Sequence, residues 1–317
     1  MSHDGLWSIG ELAGQAGVTV KTVRFYSDRG LLPEASRSSG GHRRFHPDAL
    51  ERLRLIRSLR ALDLPVPEVR RVLDGQDDGA ADGGGALEAA VAGRLRVLGS
   101  ELRALRWREA ALRLVQDCPP GARADRLRLV GAVPAPPSTA PLARFWRGWL
   151  PPRMPARSVS AFLEAAVPQP PDDPDPHQVL AFARLHALVT RPCPGTGRPQ
   201  PAAHRGAGAG RAAAVLYAGL AEAYELAGAQ LRRDGKPCAG EALDGFVAAY
   251  ASAYGTRDTP GFRRDLAGQL GADPRLDGYW ELTAGVLTPS GSRPEPTPGS
   301  AHDWLLTALR TQVAAAA

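Results

Sequence analysis

Between Thr19 and Arg60 the chain gathers ten Lys/Arg against four Asp/Glu. The spacing sorts these residues by the chemistry they offer. Lys21, Thr22, Arg24 and Tyr26 stand at helical spacing behind Thr19, and all five are candidate contacts to a nucleic acid. Ammonium, hydroxyl and guanidinium groups so placed are donors for phosphate oxygens and for base edges in a nucleic-acid groove. Lys21 and Thr22 suit base edges; Arg24 and Tyr26 suit phosphates or the groove wall. Arg43 and Arg44, with Arg57 and Arg60 further on, are placed to hold a backbone. A cationic footprint of this density is what phosphate neutralisation requires.

Other chemistries find little support. His177, His186, His204 and His302 occur without an HExxH, GxSxG, P-loop or GxGxxG context, so no catalytic residue is assigned. Of the three cysteines, Cys118, Cys193 and Cys238, none has a close thiol partner. A soft metal or a cluster needs several such ligands, so neither metal nor cofactor is expected. Three cysteines make no disulfide framework. No signal peptide is visible at Met1, and no apolar run approaches the roughly 20 residues of a membrane span, so a cytoplasmic chain with no membrane partner is expected.

The elements that carry the basic set follow from caps and breaks. Ser8-Ile9-Gly10-Glu11 is a capping box, Leu12 and Ala16 share an inner face, and Gly17 ends the helix. Thr19 caps a second helix from Val20 to about Asp28, with Val20 and Val23 inward. Two short helices joined by a tight glycine turn make a helix-turn-helix, and the second is the recognition helix. Arg29-Gly30-Leu31-Leu32-Pro33 breaks it. Ser38–Gly41 is a turn, and His42–Phe45 is the return strand of a two-stranded wing. Pro47 opens a third helix with Leu50, Leu53, Ile56 and Leu59 inward and Arg52, Arg54, Arg57 and Arg60 outward. A fourth runs from Pro65 to near Leu73. The unit is bounded at 1–75.

Asp74–Gly85 has no apolar anchor and reads as a hinge. A helix over 86–117 then sets Val91, Leu95, Leu98, Leu102, Leu105 and Leu112 at alternating spacings of four and three, broken only where Glu109 takes a seam position. Such a seam is a coiled-coil pairing surface. Residues 121–140, rich in proline and alanine, read as a linker. From 141 to 317 the pattern is helical: Leu142–Leu150, Ser158–Ala166, His177–Thr190, Arg211–Arg233, Glu241–Tyr254, Phe262–Leu270, Pro274–Leu287 and His302–Val313. The low-complexity stretch 191–210 reads as disordered. Aromatics gather in this half, and Trp146, Trp149, Tyr224, Tyr254 and Trp280 are the candidates to line a pocket for an amphipathic small molecule.

The opening SIGELA, the VRFY of the second helix, the RGLLP break, the GGHRRF wing and the helix pair PDALERLRLIRSLRALDLPVPEVRRVL follow one another in the order of the MerR family of transcription regulators, which this chain resembles over about 70 of its 317 residues. The resemblance implies a mainly α protein with a winged helix-turn-helix, a long antiparallel coiled-coil dimer helix and an all-α effector domain. It also implies a homodimer on double-stranded promoter DNA. The dimer distorts an overlong promoter spacer so that RNA polymerase engages both elements. Arg232–Cys238, the following helix with Glu241-Ala242, and Phe262, Leu266, Leu270, Leu276 and Tyr279 are similar to the antibiotic-recognition domain of TipA-type members. No cysteine stands here where that domain captures its ligand covalently, so covalent capture is not implied. Two other readings are a drug-sequestering resistance protein with a DNA-binding domain and an enzyme fused to one.

Overall fold

The computed structural model describes residues 5–77, 83–191, 204, 211–271 and 274–316. It is mainly helical, with one small sheet near the N-terminus, and divides into two compact units, Met1–Glu101 and Leu102–Ala317.

In the first unit, α1 (Ile9–Ala16) starts at the expected capping box. The Glu11 backbone N–H donates to Ser8 Oγ at 3.2 Å, and the Ser8 N–H donates to Glu11 Oε2 at 2.7 Å. Those bonds hold the Glu11 carboxyl below its usual range. Gly17 ends α1 in the left-handed conformation (φ 64°), which a side chain would strain. Thr19 caps α2 (Val20–Asp28) by accepting from the Thr22 N–H at 3.1 Å.

The wing differs from expectation. β2 (Ser36–Arg37) pairs with β3 (Arg43–Phe45), and β3 also pairs with a third strand, β1 (Trp7–Ser8), giving the antiparallel order β1-β3-β2. Two residues carry no readable alternation, so β1 has no sequence signature. α3 (Ala49–Ala61) and α4 (Val66–Asp77) close the domain around Leu12, Val23, Leu31, Phe45, Leu53 and Ile56, all essentially without solvent contact. Each buried leucine or phenylalanine contributes about 1.5–3 kcal/mol of transfer free energy.

The expected hinge 74–85 is overturned at both of its described ends. Asp74–Asp77 end α4 and Gly83–Gly85 open α5 (Gly83–Gln116); residues 78–82 lie outside the described ones. Polar and glycine residues are tolerated in helix ends whose other turns are packed, at about 1 kcal/mol per glycine.

Among the described residues the second unit is all-α. The expected linker 121–140 is a correction: a 3₁₀ turn (Pro120–Ala122) leads into α6 (Arg123–Gly131), and Leu129, Val130 and Val133 pack into a core. Proline and alanine masked three apolar positions at helical spacing. There follow α7 (Ala140–Trp149), α8 (Ala156–Ala166), α9 (Pro176–Thr190), α10 (Arg211–Arg232), α11 (Glu241–Tyr254), α12 (Pro260–Gln269), α13 (Pro274–Leu287) and α14 (Pro298–Ala315). One core joins Trp107 and Ala110 of α5 to Trp146, Phe182, Leu185, Tyr279 and Val286. The other joins α10, α11, α12 and α14 through Leu216, Phe246, Tyr250, Leu266 and Leu305. At Gly219 a Cβ would stand 2.7 Å from that of Ala249, so only glycine allows α10 and α11 to approach this closely. Apart from Arg191 and His204, the stretch 191–210 lies outside the described residues. Among the described residues no helix is long and apolar enough to cross a membrane.

Candidate nucleic-acid interface

The free face of α2 carries Val20, Lys21, Arg24 and Phe25, all exposed, with Thr22 half-buried beside them. Lys21 and Arg24 make no ion pair or hydrogen bond among the described residues, so both cations are available to a phosphate or a base edge. Thr19 and Thr22 are committed to the cap, their hydroxyls 2.9 Å apart. That bond fixes the Thr22 side chain on the helix's first turn.

Two placements reverse the expected ones. Tyr26 is only 9% exposed and belongs to the core; Phe25 is 43% exposed. The reason is helical phase: position 26 lies three residues from buried Val23, and position 25 lies four from exposed Lys21. Val20 is 40% exposed, because no element among the described residues covers the first turn of α2 at that point. Phe25 is the residue that sequence reasoning missed. The Arg29 guanidinium stands 5.1 Å from its ring centroid, a cation–π contact that holds an apolar plate beside the recognition face.

The other arginines are engaged within the domain. Arg43, expected on the backbone of a nucleic acid, is three-quarters buried and ion-paired to Asp28 at 2.5 Å and to Glu34 at 2.8 Å. Glu34 also pairs with Arg37 at 3.0 Å. Arg37 and Arg43 are direct cross-strand partners, and Glu34 offsets a like-charge pair that would weaken the wing. Arg57 Nη1 donates to the Ala16 carbonyl at 2.7 Å, and Arg60 Nη1 to that of Leu64 at 2.6 Å. Arg52 Nε donates to the Leu31 carbonyl at 2.7 Å, and Arg70 holds that of Arg29. These guanidiniums satisfy carbonyls left open at helix ends and at the break after α2. Arg57 and Arg60 are exposed residues despite these bonds, whereas Arg43 is partly buried and held by its two carboxylates. Arg44 is half-buried in the central strand.

Comparison with known proteins decides the kinship of this unit. Residues 7–76 match the model of the MerR HTH family regulatory proteins. The N-terminal domain is of the MerR family. The chain is 47% identical over 76 residues to the HTH-type transcriptional activator TipA of Streptomyces coelicolor, covering 24% of this chain and 29% of that protein. It is 46% identical over 70 residues to the nodulation protein NolA of a Bradyrhizobium species, covering 22% and 30%. The chain thus spans about a third of the length of the curated relatives it matches. Among solved structures, a transcription regulator of Ralstonia metallidurans in complex with lead(II) is 37% identical, covering 36% of this chain and 89% of that one, at a TM-score of 0.31. Among the described residues no group of His, Cys, Asp and Glu is placed to hold a metal ion. Cys118 Sγ lies 3.2 Å from the Val115 carbonyl, a contact that closes the end of α5.

Beyond the MerR-type domain, Val91, Leu95, Leu98, Leu102, Leu105 and Leu112 are exposed, from 37% at Val91 to 70% at Leu112. Other faces of α5 are covered: Leu87 and Ala90 join the first unit's core, and Trp107 and Ala110 that of the second. One exposed leucine is ordinary; a valine and five leucines at seam spacing, interrupted only at Glu109, form an exposed apolar stripe.

The five aromatic candidates are not brought together. Trp146, Trp149 and Trp280 pack on one another in one core, and Tyr224 and Tyr254 pack in the other. Trp146 is 1% exposed. Two clefts of about 280 and 330 Å³ lie elsewhere, beside Arg263 and Gln312 and beside Arg103 and Pro171, and none of the five lines either. Trp146 and Trp149 are buried in a core, and Trp280, Tyr224 and Tyr254 are partly buried and pack against one, since large rings bury much area per side chain. His204 is another correction: it is buried, with Nδ1 and Nε2 each 3.1 Å from the hydroxyls of Tyr217 and Tyr250. A neutral imidazole donates to one and accepts from the other. Burial, with a smaller effect of His302, holds its pKa down to about 3. Burial holds His302, 3.0 Å from the Tyr224 hydroxyl, down to about 4.

Proposed function

We propose that the chain is a DNA-binding transcription regulator, not an enzyme, and that it acts on promoter DNA as a homodimer paired through α5. The observation that carries this reading is the join of a MerR-type domain, with Lys21 and Arg24 unpaired on its recognition helix, to a helix bearing an uncovered leucine seam. A dimer presents two recognition helices with a fixed separation and reads an inverted repeat. Bending or untwisting the spacer between promoter elements then gives RNA polymerase access, a control exerted through DNA deformation.

The second unit is the sensing half in this proposal, and its effector is an amphipathic small molecule of antibiotic type. TipA is a transcriptional activator, which supports a comparable role here. Coupling requires that the effector bind one arrangement of the dimer better than another; equal affinity shifts nothing. Sedimentation and DNA binding by Leu102→Asp test the core of the reading. An acidic side chain in the seam places a charge against apolar partners and separates the chains. A monomer that has lost operator affinity is the expected result. A variant that stays dimeric contradicts pairing through α5.

A further inference from the structure

A second strongly basic stretch lies in the second unit. From Arg123 to Arg157 there are seven arginines and one aspartate, and no carboxylate at all between Asp125 and Glu164. Outside this stretch and Thr19–Arg60 the chain is acidic, with 22 basic and 28 acidic residues. This stretch is separate from the recognition helix and lies wholly in the unit Leu102–Ala317.

Four of these arginines share a run of structure. Arg144 and Arg147 lie on the exposed side of α7, whose other side buries Leu142, Phe145, Trp146 and Trp149. Arg153 is exposed in the loop from α7 to α8, and Arg157 in the first turn of α8. α7 and α8 pack on each other. None of the four makes an ion pair or hydrogen bond among the described residues, whereas Arg128 of α6 is paired with Asp125 at 2.8 Å. Two placements cost stability. Arg153 is held at φ 65°, where an L side chain is strained. Arg157 stands at the positive end of a helix dipole whose first turn has no acidic residue and no side-chain cap. The loop itself is stiff: Pro151, Pro152 and Pro155 flank Arg153, and Met154 is buried beside it. Cations presented on a stiff loop lose little entropy on binding an anion.

We propose that this face of α7, the loop and the start of α8 is a second nucleic-acid contact, binding the DNA backbone without reading sequence. An acidic protein is the competing partner, and the surface argues against it. No large apolar side chain is exposed among the described residues between Leu127 and Val215. The exposed neighbours, Ala140, Gly148, Pro152, Ala156 and Ser160, are small. Protein interfaces need apolar anchors at their centre; phosphate contacts need only donors and charge. The choice of DNA as the phosphate source rests on the function proposed above.

The test uses the full chain on a random-sequence duplex. Affinity is measured against salt for the wild type and for the fourfold variant Arg144→Gln, Arg147→Gln, Arg153→Gln, Arg157→Gln. Each lost phosphate contact lowers the slope of log affinity against log salt by about 0.9, so a drop of up to about 3.6 is expected. All four positions are exposed, so circular dichroism and melting are expected to match the wild type. A reference variant, Lys21→Ala with Arg24→Ala, reports on the recognition helix alone and separates failure of the DNA-binding reading from failure of this one. An unchanged slope in the fourfold variant overturns the proposal. So does an unchanged slope together with lost binding to polyglutamate, which identifies an acidic-protein surface instead.

Discussion

Replacing Arg24 by alanine removes an exposed guanidinium with no described partner inside the chain. Folding stability therefore stays within about 0.5 kcal/mol. Operator affinity falls by roughly 1–3 kcal/mol, which anisotropy titration at moderate salt measures. The neighbours Phe25 and Tyr26 separate sharply. Phe25→Ala lowers DNA affinity with little change in melting, because its ring is exposed beside the recognition face. Tyr26→Ala empties a core site, costs roughly 3–5 kcal/mol of stability, and leaves the salt slope of the remaining folded protein unchanged. Denaturant melts run beside DNA titrations check both; the reverse pattern contradicts the phase assigned to α2. Two of the four histidines of the second unit, His204 and His302, make a pH prediction. Their folded pKa values, about 3 for His204 and about 4 for His302, lie below the unfolded value of 6.5. The unfolded chain thus binds protons that the native one refuses. The stability is full above about pH 6.5 and is lost as pH falls toward 4, by about 1.4 kcal/mol per pH unit for each histidine. His204→Gln flattens that loss, as denaturation at pH 7, 5.5 and 4.5 shows; an equally steep loss places the titrating groups elsewhere.

At the scale of elements, α5 is the part on which the proposed assembly depends. Leu102→Asp is expected to sediment as a monomer, while Leu127→Asp, exposed on α6 outside the seam, leaves the assembly intact. Much of this level was legible from local chemistry. Ser8 with Glu11, Thr19 and Gly17 marked the bounds of α1 and α2 because caps are satisfied within four residues. Strand β1 was not legible, since Trp7 and Ser8 pair with residues nearly forty positions away. Nor was α6, where Pro134, Pro136 and Pro137 coloured a stretch that holds a helical turn or two of apolar residues ahead of them. The partners of Arg43 and Arg57 are likewise long-range: a guanidinium at helical spacing looks the same whether it meets a phosphate or the carbonyl of Ala16.

For the whole molecule, composition located aromatics in the second unit but not their role, because rings that fill a core and rings that line a pocket leave the same trace in a sequence. Packing places Trp146 in a core: it touches Phe145, Trp149, Phe162, Tyr279 and Trp280 at ring-centroid distances of 4.9–5.4 Å. Charge behaved differently. The exposed arginine face on α7 and α8 and the recognition face on α2 lie in different units, each with its own expected contribution to the salt dependence of DNA binding.

The central claim is that two copies of this chain, joined through α5, read duplex DNA with paired α2 helices. In vitro selection from a pool of random duplexes tests it most directly. The account predicts enrichment of an inverted repeat, two copies of one half-site at fixed spacing, with enrichment lost in Arg24→Ala and in Leu102→Asp. Recovery of a single unrepeated half-site, or no enrichment by the wild-type chain, would contradict it.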